Sequence, residues 1–185
     1  VAPSRGLGDV YKRQDGSVYA ALRGLASPGA EHGRLPVIYH ISPEGKLLNS
    51  FTVGEREWNI VDSMATDAQG RLYMRMRMQE DGSYVRIYSA EGELIGTVAD
   101  DDSYAVQGAG ALGQGKDGKV YAAALATENV TAEDDPVTLV SVDPESLRLV
   151  PVAGGENVIC SADTIYPWKM VAAGVSAVSY THLRA

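Results

Sequence analysis

The chain has 185 residues, a formal net charge of −8, 45% apolar and 22% charged side chains, and one cysteine, Cys160. An acidic surface with scattered Lys and Arg repels phosphate backbones, so nucleic acid is not expected as a partner. A lone cysteine excludes an internal disulfide and a cysteine-rich metal centre. No apolar run approaches the roughly 20 residues of a membrane-spanning helix, and twenty glycines and ten tyrosines against one phenylalanine favour a turn-rich all-β chain.

The chain begins VAPSRGLGDVYKRQ and ends VSYTHLRA, and neither string matches the pattern between them. The pieces GLGDVYKRQ and SYTHLRA resemble peptides that arise when sequencing-adapter DNA is read through in assembled metagenomes or transcriptomes. Residues 1–14 and 178–185 are therefore expected to be non-native and are set aside from fold reasoning.

From Asp15 onward an internal repeat takes over. The first unit (about 15–53) opens with Asp15-Gly16-Ser17-Val18-Tyr19 and closes through Ser42-Pro43-Glu44-Gly45. The second (58–98) repeats this as Gln69-Gly70-Arg71-Leu72-Tyr73 and Ser89-Ala90-Glu91-Gly92, the third (104–152) as Asp117-Gly118-Lys119-Val120-Tyr121 and Asp143-Pro144-Glu145-Ser146. A partial fourth covers 160–177. The glycines recur about every 50 residues.

Each unit predicts four short strands. A Gly turn accepts positive φ and closes the first hairpin. A polar loop of variable length leads to a β-branched, Tyr-bearing third strand, and a second turn returns the fourth. Alternation such as Val85-Arg86-Ile87-Tyr88 marks half-buried strands. A four-stranded antiparallel unit repeating at this length predicts a β-propeller blade. The fold class is all-β: an incomplete β-propeller of about three blades plus the start of a fourth. The chain is expected to enter mid-blade at Asp15, lacking that blade's innermost strand. It should leave near residues 168–175, where the next innermost strand begins. Its first partners would be the remaining blades of its own propeller.

The second unit, from Ser63-Met64-Ala65-Thr66-Asp67 through Leu94, is similar to the NHL repeat. Its small-apolar-Asp lead-in, Gly turn, apolar-Tyr strand, Arg-Ile strand and closing Gly turn appear in that order. The departure lies after Tyr73, where Met74-Arg75-Met76-Arg77-Met78 and a longer loop replace the usual residues. The resemblance implies an extracytoplasmic protein, secreted, periplasmic or on the cell surface; with no catalytic constellation in the residues, a binding module without a cofactor is expected.

No nucleophile elbow, phosphate loop, zinc-spaced His pair or EF-hand loop is present. Gly108-Ala109-Gly110-Ala111-Leu112-Gly113 superficially resembles a dinucleotide fingerprint, but it falls where the repeat demands an innermost strand. Met74, Met76 and Met78 alternate with Arg75 and Arg77, predicting a core face and a polar face. His40 points opposite to Tyr39 and Ile41, which suits a surface or interblade side chain, and His32 sits in a Gly- and Pro-containing loop. The acidic runs 100–102 and 133–135 suit solvated loop tips. Amidating lyases related to NHL proteins hold zinc with near-axial histidines, and neither His32 nor His40 lies on an innermost strand. Gluconolactonase-type propellers bind a divalent cation through Glu, Asn and Asp at the axis. Only Asn59 and Asp62 are placed for such parts, so a metal-dependent lactone hydrolase or lyase completed by further blades is the alternative reading.

The most regular feature is aromatic. Trp58 precedes the second innermost strand, Tyr104 the third, and Tyr166 with Trp168 the fourth, each after a crossing between blades. Flat aromatics bury much area and tolerate partial exposure. They therefore suit recognition of a protein, peptide or carbohydrate, with Arg56, Glu57, Asp62, Asp102 and Gln107 supplying polar contacts. The competing reading is that the aromatics wedge adjacent blades together.

Overall fold

A computed structural model describes residues 7–13, 15–22, 35–54, 60–78, 82–98, 104–105, 112–126, 137–154, 170–173 and 176–179. The architecture is that of three β-propeller blades. Blade 1 is a four-stranded antiparallel sheet of β1 (Leu7–Lys12), β2 (Val18–Leu22), β3 (Val37–Ile41) and β4 (Leu47–Thr52), in that order. Blade 2 repeats it with β5 (Ile60–Thr66), β6 (Leu72–Met78), β7 (Gly82–Tyr88) and β8 (Leu94–Val98).

In blade 3 the innermost position is shared by two pieces, β9 (Tyr104–Ala105) and β10 (Leu112–Gln114). Both pair with β11 (Val120–Ala126), and β12 (Val137–Asp143) and β13 (Arg148–Pro151) follow. The glycine-rich segment thus runs into an innermost strand at Leu112 and Gly113, as the repeat demands. A hairpin of β14 (Met170–Ala173) and β15 (Ser176–Ser179) comes last, with β14 beside β10.

One expectation is corrected. Blade 1 does not lack its innermost strand: Leu7–Lys12 supplies it, with Lys12 opposite Val18 and Tyr11 opposite Tyr19. The boundary expected at residue 14 runs through the β1–β2 turn, where Gly16 N–H donates to the Arg13 carbonyl and Arg13 N–H to that of Ser17. The physical reason lies in the segment itself. Asp-Val-Tyr-Lys alternates like a strand and precedes an Asp-Gly turn, so local pairing alone recruits it into a hairpin. At the other end, β15 extends to Ser179.

The turns are built alike. Gly16, Gly70 and Gly118 all have φ near +80°, as the first turn requires. In blade 3 the second turn has four residues between its strands where blades 1 and 2 have five, and Leu147 takes the left-handed conformation (φ 55°) that Gly45 and Gly92 take elsewhere. Its side chain packs on Gly96 of blade 2, where a Cβ would collide with it, so interblade packing offsets the strain.

The core lies between blades. Blade 2 turns Met64, Leu72, Met74, Met76 and Tyr88 toward Tyr19, Ala21, Ile38 and Val53 of blade 1. Its other face sets Tyr73, Val85, Ile87 and Val98 against Val120, Ala122, Val140 and Leu149 of blade 3. Met74 and Met76 are buried while Arg75 points to the other side, so the alternation expected there is present. Buried side chains of this size contribute about 1.5–3 kcal/mol each, which makes the interblade seams the main source of cohesion.

Candidate functional site

The topology separates two ends. One carries the turns between first and second strands and between third and fourth. At the other end β4 and β8 finish, β5 and β9 start, and the chain passes from blade to blade.

At this second end all three innermost strands leave regular register at the same level. β1 shifts between Leu7 and Asp9, opposite Ala21. β5 shifts between Val61 and Ser63, opposite Arg75. In blade 3 residues 106–111 intervene between β9 and β10, near the equivalent Ala123. An extra residue in an innermost strand re-aims a side chain out of the ladder, and bulges of this kind cluster beside functional sites.

In blade 2 the extra residue is Asp62. Its Oδ2 lies 3.6 Å from Arg75 Nη1 on the neighbouring strand, with side-chain exposures of 19% for Asp62 and 11% for Arg75. A half-buried carboxylate and guanidinium held this way present acceptor and donor side by side without leaving either charge isolated. Below the pair the seam is closed by a contact between blades: the Leu112 amide donates to Ser63 Oγ at 3.0 Å.

Of the side chains expected to form a site, Asp62 is the one whose surroundings are described. Tyr104 is placed by its backbone, opposite Ala126 in β9. Arg56, Glu57, Trp58, Asp102, Gln107, Tyr166 and Trp168 lie outside the described residues, as do Asn59, His32 and Cys160. Arg75 was not anticipated in the site. Had β5 and β6 kept one register from the Gly70 turn, Asp62 would face Met76; the bulge alone sets it beside Arg75.

The turn-bearing end is structural. Asp67, 5% exposed, accepts from the Gln69 and Arg71 amides, from Arg71 Nε and from Tyr73 Oη. Burial raises the Tyr73 phenol well above its usual range, and the Asp67 carboxylate reinforces this. In blade 3 Tyr121 donates to Asp117 at 2.7 Å; burial and that bond push it up to about 12.

His40 is buried on the face of blade 1 that also carries Tyr19. It stacks on Tyr19 at 4.2 Å between centroids, with Nε2 3.1 Å from Ser17 Oγ. Ser17 Oγ spends its proton on Asp15 Oδ1, so the neutral ring donates from Nε2. Burial pulls the imidazole below its ordinary value, with Arg13 adding to the effect. Among the described residues no group of three or more His, Cys, Asp or Glu could hold a metal ion, and no helix is long and apolar enough to cross a membrane.

No protein-family model matches the chain, and no curated protein matches it in sequence. Solved structures do resemble it. One is a protein of unknown function from Bacteroides caccae, 16% identical with a TM-score of 0.49 over 81% of this chain and 47% of that one. Another is a protein provisionally described as a gluconolactonase, 15% identical with a TM-score of 0.47 over 91% of this chain and 52% of the other. The chain spans about half the length of each.

Proposed function

We propose that this chain is a binding module whose ligand is recognised at the crossing end of the blades, around the bulged innermost strands. The observation that carries the reading is Asp62 lifted out of β5 by a bulge and held against Arg75, at the level where the other two innermost strands also break register. Trp58, Tyr104, Tyr166 and Trp168 would add flat apolar contact, and Arg56, Glu57, Asp102 and Gln107 polar contact. A protein segment, a peptide or a carbohydrate fits this combination, because each offers hydroxyls or amides to an Asp–Arg pair and flat faces to the rings. The NHL-like lead-in and turn pattern of the second unit supports an extracytoplasmic setting.

The test is to screen glycan and peptide arrays with the chain, then measure the best binder by calorimetry against Asp62→Ala, Trp58→Ala and Tyr104→Ala. Loss of about tenfold or more in affinity at two of the three sites, with the β circular dichroism retained, is the expected result. Binders unaffected by all three variants would place recognition elsewhere. The alternative, a metal-dependent lactone hydrolase or lyase, rests on the same innermost-strand Asp62. It predicts that Asp62→Ala abolishes calcium or zinc binding to the chain. The guanidinium beside Asp62 argues against it, since a fixed positive charge opposes a cation at that carboxylate.

A further inference from the structure

The outermost strands of blades 1 and 2 carry the same irregularity. In blade 1 Ile41 pairs with Leu47 and His40 with Asn49, so Leu48 is an extra residue in β4. In blade 2 Tyr88 pairs with Leu94 and Ile87 with Gly96, so Ile95 is the extra residue in β8. Blade 3 keeps its register, with Val142 opposite Leu149 and Ser141 opposite Val150. The difference falls on one side chain. Leu149 is 6% exposed and packs into the core between blades 2 and 3, whereas Leu48 and Ile95 are 56% and 44% exposed. Leu47 and Leu94 beside them are exposed as well.

A bulge blunts an edge strand against further pairing whatever its side chains. Protection of the edge therefore does not account for two apolar pairs turned to water, and clustered aliphatic side chains on a surface mark a site of protein contact.

The turn between β7 and β8 joins the two pairs. Asn49, next to Leu48, donates to the Glu91 carbonyl at 3.0 Å, and a Cβ on Gly92 would meet Phe51 of β4. Glu91 and Glu93 thus stand beside the first pair, and Glu93 directly precedes the second. Gly96, next to Ile95, lies under Leu147 of the blade 3 turn, two residues from the exposed Glu145. In residues 42–49 and 89–96 the charged side chains are Glu44, Glu91 and Glu93 against Lys46, and all four are exposed.

We propose that this rim, at the turn-bearing end and away from Asp62, docks a cationic amphipathic segment of another protein. Its apolar side chains lie on Leu47–Leu48 and Leu94–Ile95, and its Lys or Arg side chains meet Glu91 and Glu93 between them. Charge decides the occupant. The glutamates repel the anionic surface of a lipid bilayer, and a two-fold contact with a second copy would set like charges against each other. A cationic segment gains where both of those lose.

Fluorescence anisotropy with a labelled amphipathic Leu/Lys peptide tests this, beside a scrambled peptide of the same composition and a Leu/Glu counterpart. The chain is expected to bind the amphipathic Leu/Lys peptide in preference to both. Leu48→Gln with Ile95→Gln should weaken that binding about tenfold, with β circular dichroism unchanged because both side chains already face water. Glu91→Lys with Glu93→Lys should weaken it likewise and admit the Leu/Glu peptide. Absence of binding, equal binding of the scrambled peptide, or indifference to either pair of substitutions overturns the proposal. So does dimerisation of the chain, or its capture by phosphatidylglycerol vesicles, where Leu48→Gln with Ile95→Gln removes it, since the rim would then serve a second copy or a lipid surface.

Discussion

Tyr19 and Tyr73 occupy the same place in successive blades, yet their hydroxyls have opposite surroundings. Tyr73 Oη donates to the buried Asp67 carboxylate at 2.9 Å. Tyr19 Oη is buried and has no hydrogen-bond partner among the described residues, because Arg13 stands where blade 2 has Asp67. A hydrogen bond to a charged group is worth about 1.5–3 kcal/mol, whereas an unsatisfied buried hydroxyl is a liability. Tyr73→Phe is therefore expected to destabilise by about 2 kcal/mol. Tyr19→Phe should be neutral or mildly stabilising, and urea denaturation of the two variants reads the contrast directly. His40 supplies a pH dependence of defined sign. Its folded value lies below the ordinary 6.5, so below that pH the unfolded chain binds the extra proton first. Stability from this group is full above about 6.5 and is lost as pH falls below it. Denaturation midpoints measured from pH 7.5 down to pH 5 should fall for the native chain, and His40→Phe should flatten that part of the curve while keeping the stack on Tyr19.

At the scale of the elements, the glycine turns differ in what surrounds them. Gly45 and Gly118 share a left-handed conformation, but nothing lies within 4 Å of a Cβ built on Gly45. A Cβ on Gly118 meets Ala68 of blade 2, whose amide also donates to the Gly118 carbonyl at 2.9 Å. Gly45→Ala is expected to cost about 1 kcal/mol from the backbone alone. Gly118→Ala should cost on the order of 3 kcal/mol, since the seam must also give way. Thermal unfolding distinguishes the two. These turns were the part most open to sequence reading, because Gly at fixed spacing before an apolar-Tyr strand has one local solution. The β1 strand is less so, because its string lacks the repeat's lead-in and only its alternation marks it as a strand. Nor was the shorter turn at Leu147, where packing on Gly96 overrides the preference for glycine at positive φ. The Asp62–Arg75 pair was hidden for a geometric reason: a bulge changes which side chains are neighbours, and no residue type announces it.

For the whole molecule, four-strand units stack so that each blade buries its neighbour's face. Apolar burial is divided between two seams, one around Ile38 and Met74 and one around Val85 and Val140. The repeat made this stacking legible, while the chemistry of the crossing end depends on side chains that sequence could place on a strand but not against a neighbour. Two amides report on the stacking alone. Leu112 N–H donates to Ser63 Oγ, and Ala68 N–H to the Gly118 carbonyl, both across the seam between blades 2 and 3. Site-resolved amide hydrogen exchange is the most direct measurement. The stacked-blade account predicts that both amides are protected to the level of the strand ladders, and that Ser63→Ala speeds exchange at Leu112 selectively. Free exchange at Leu112 and Ala68, with the ladders themselves protected, would contradict it, because the sheets would then exist without being stacked.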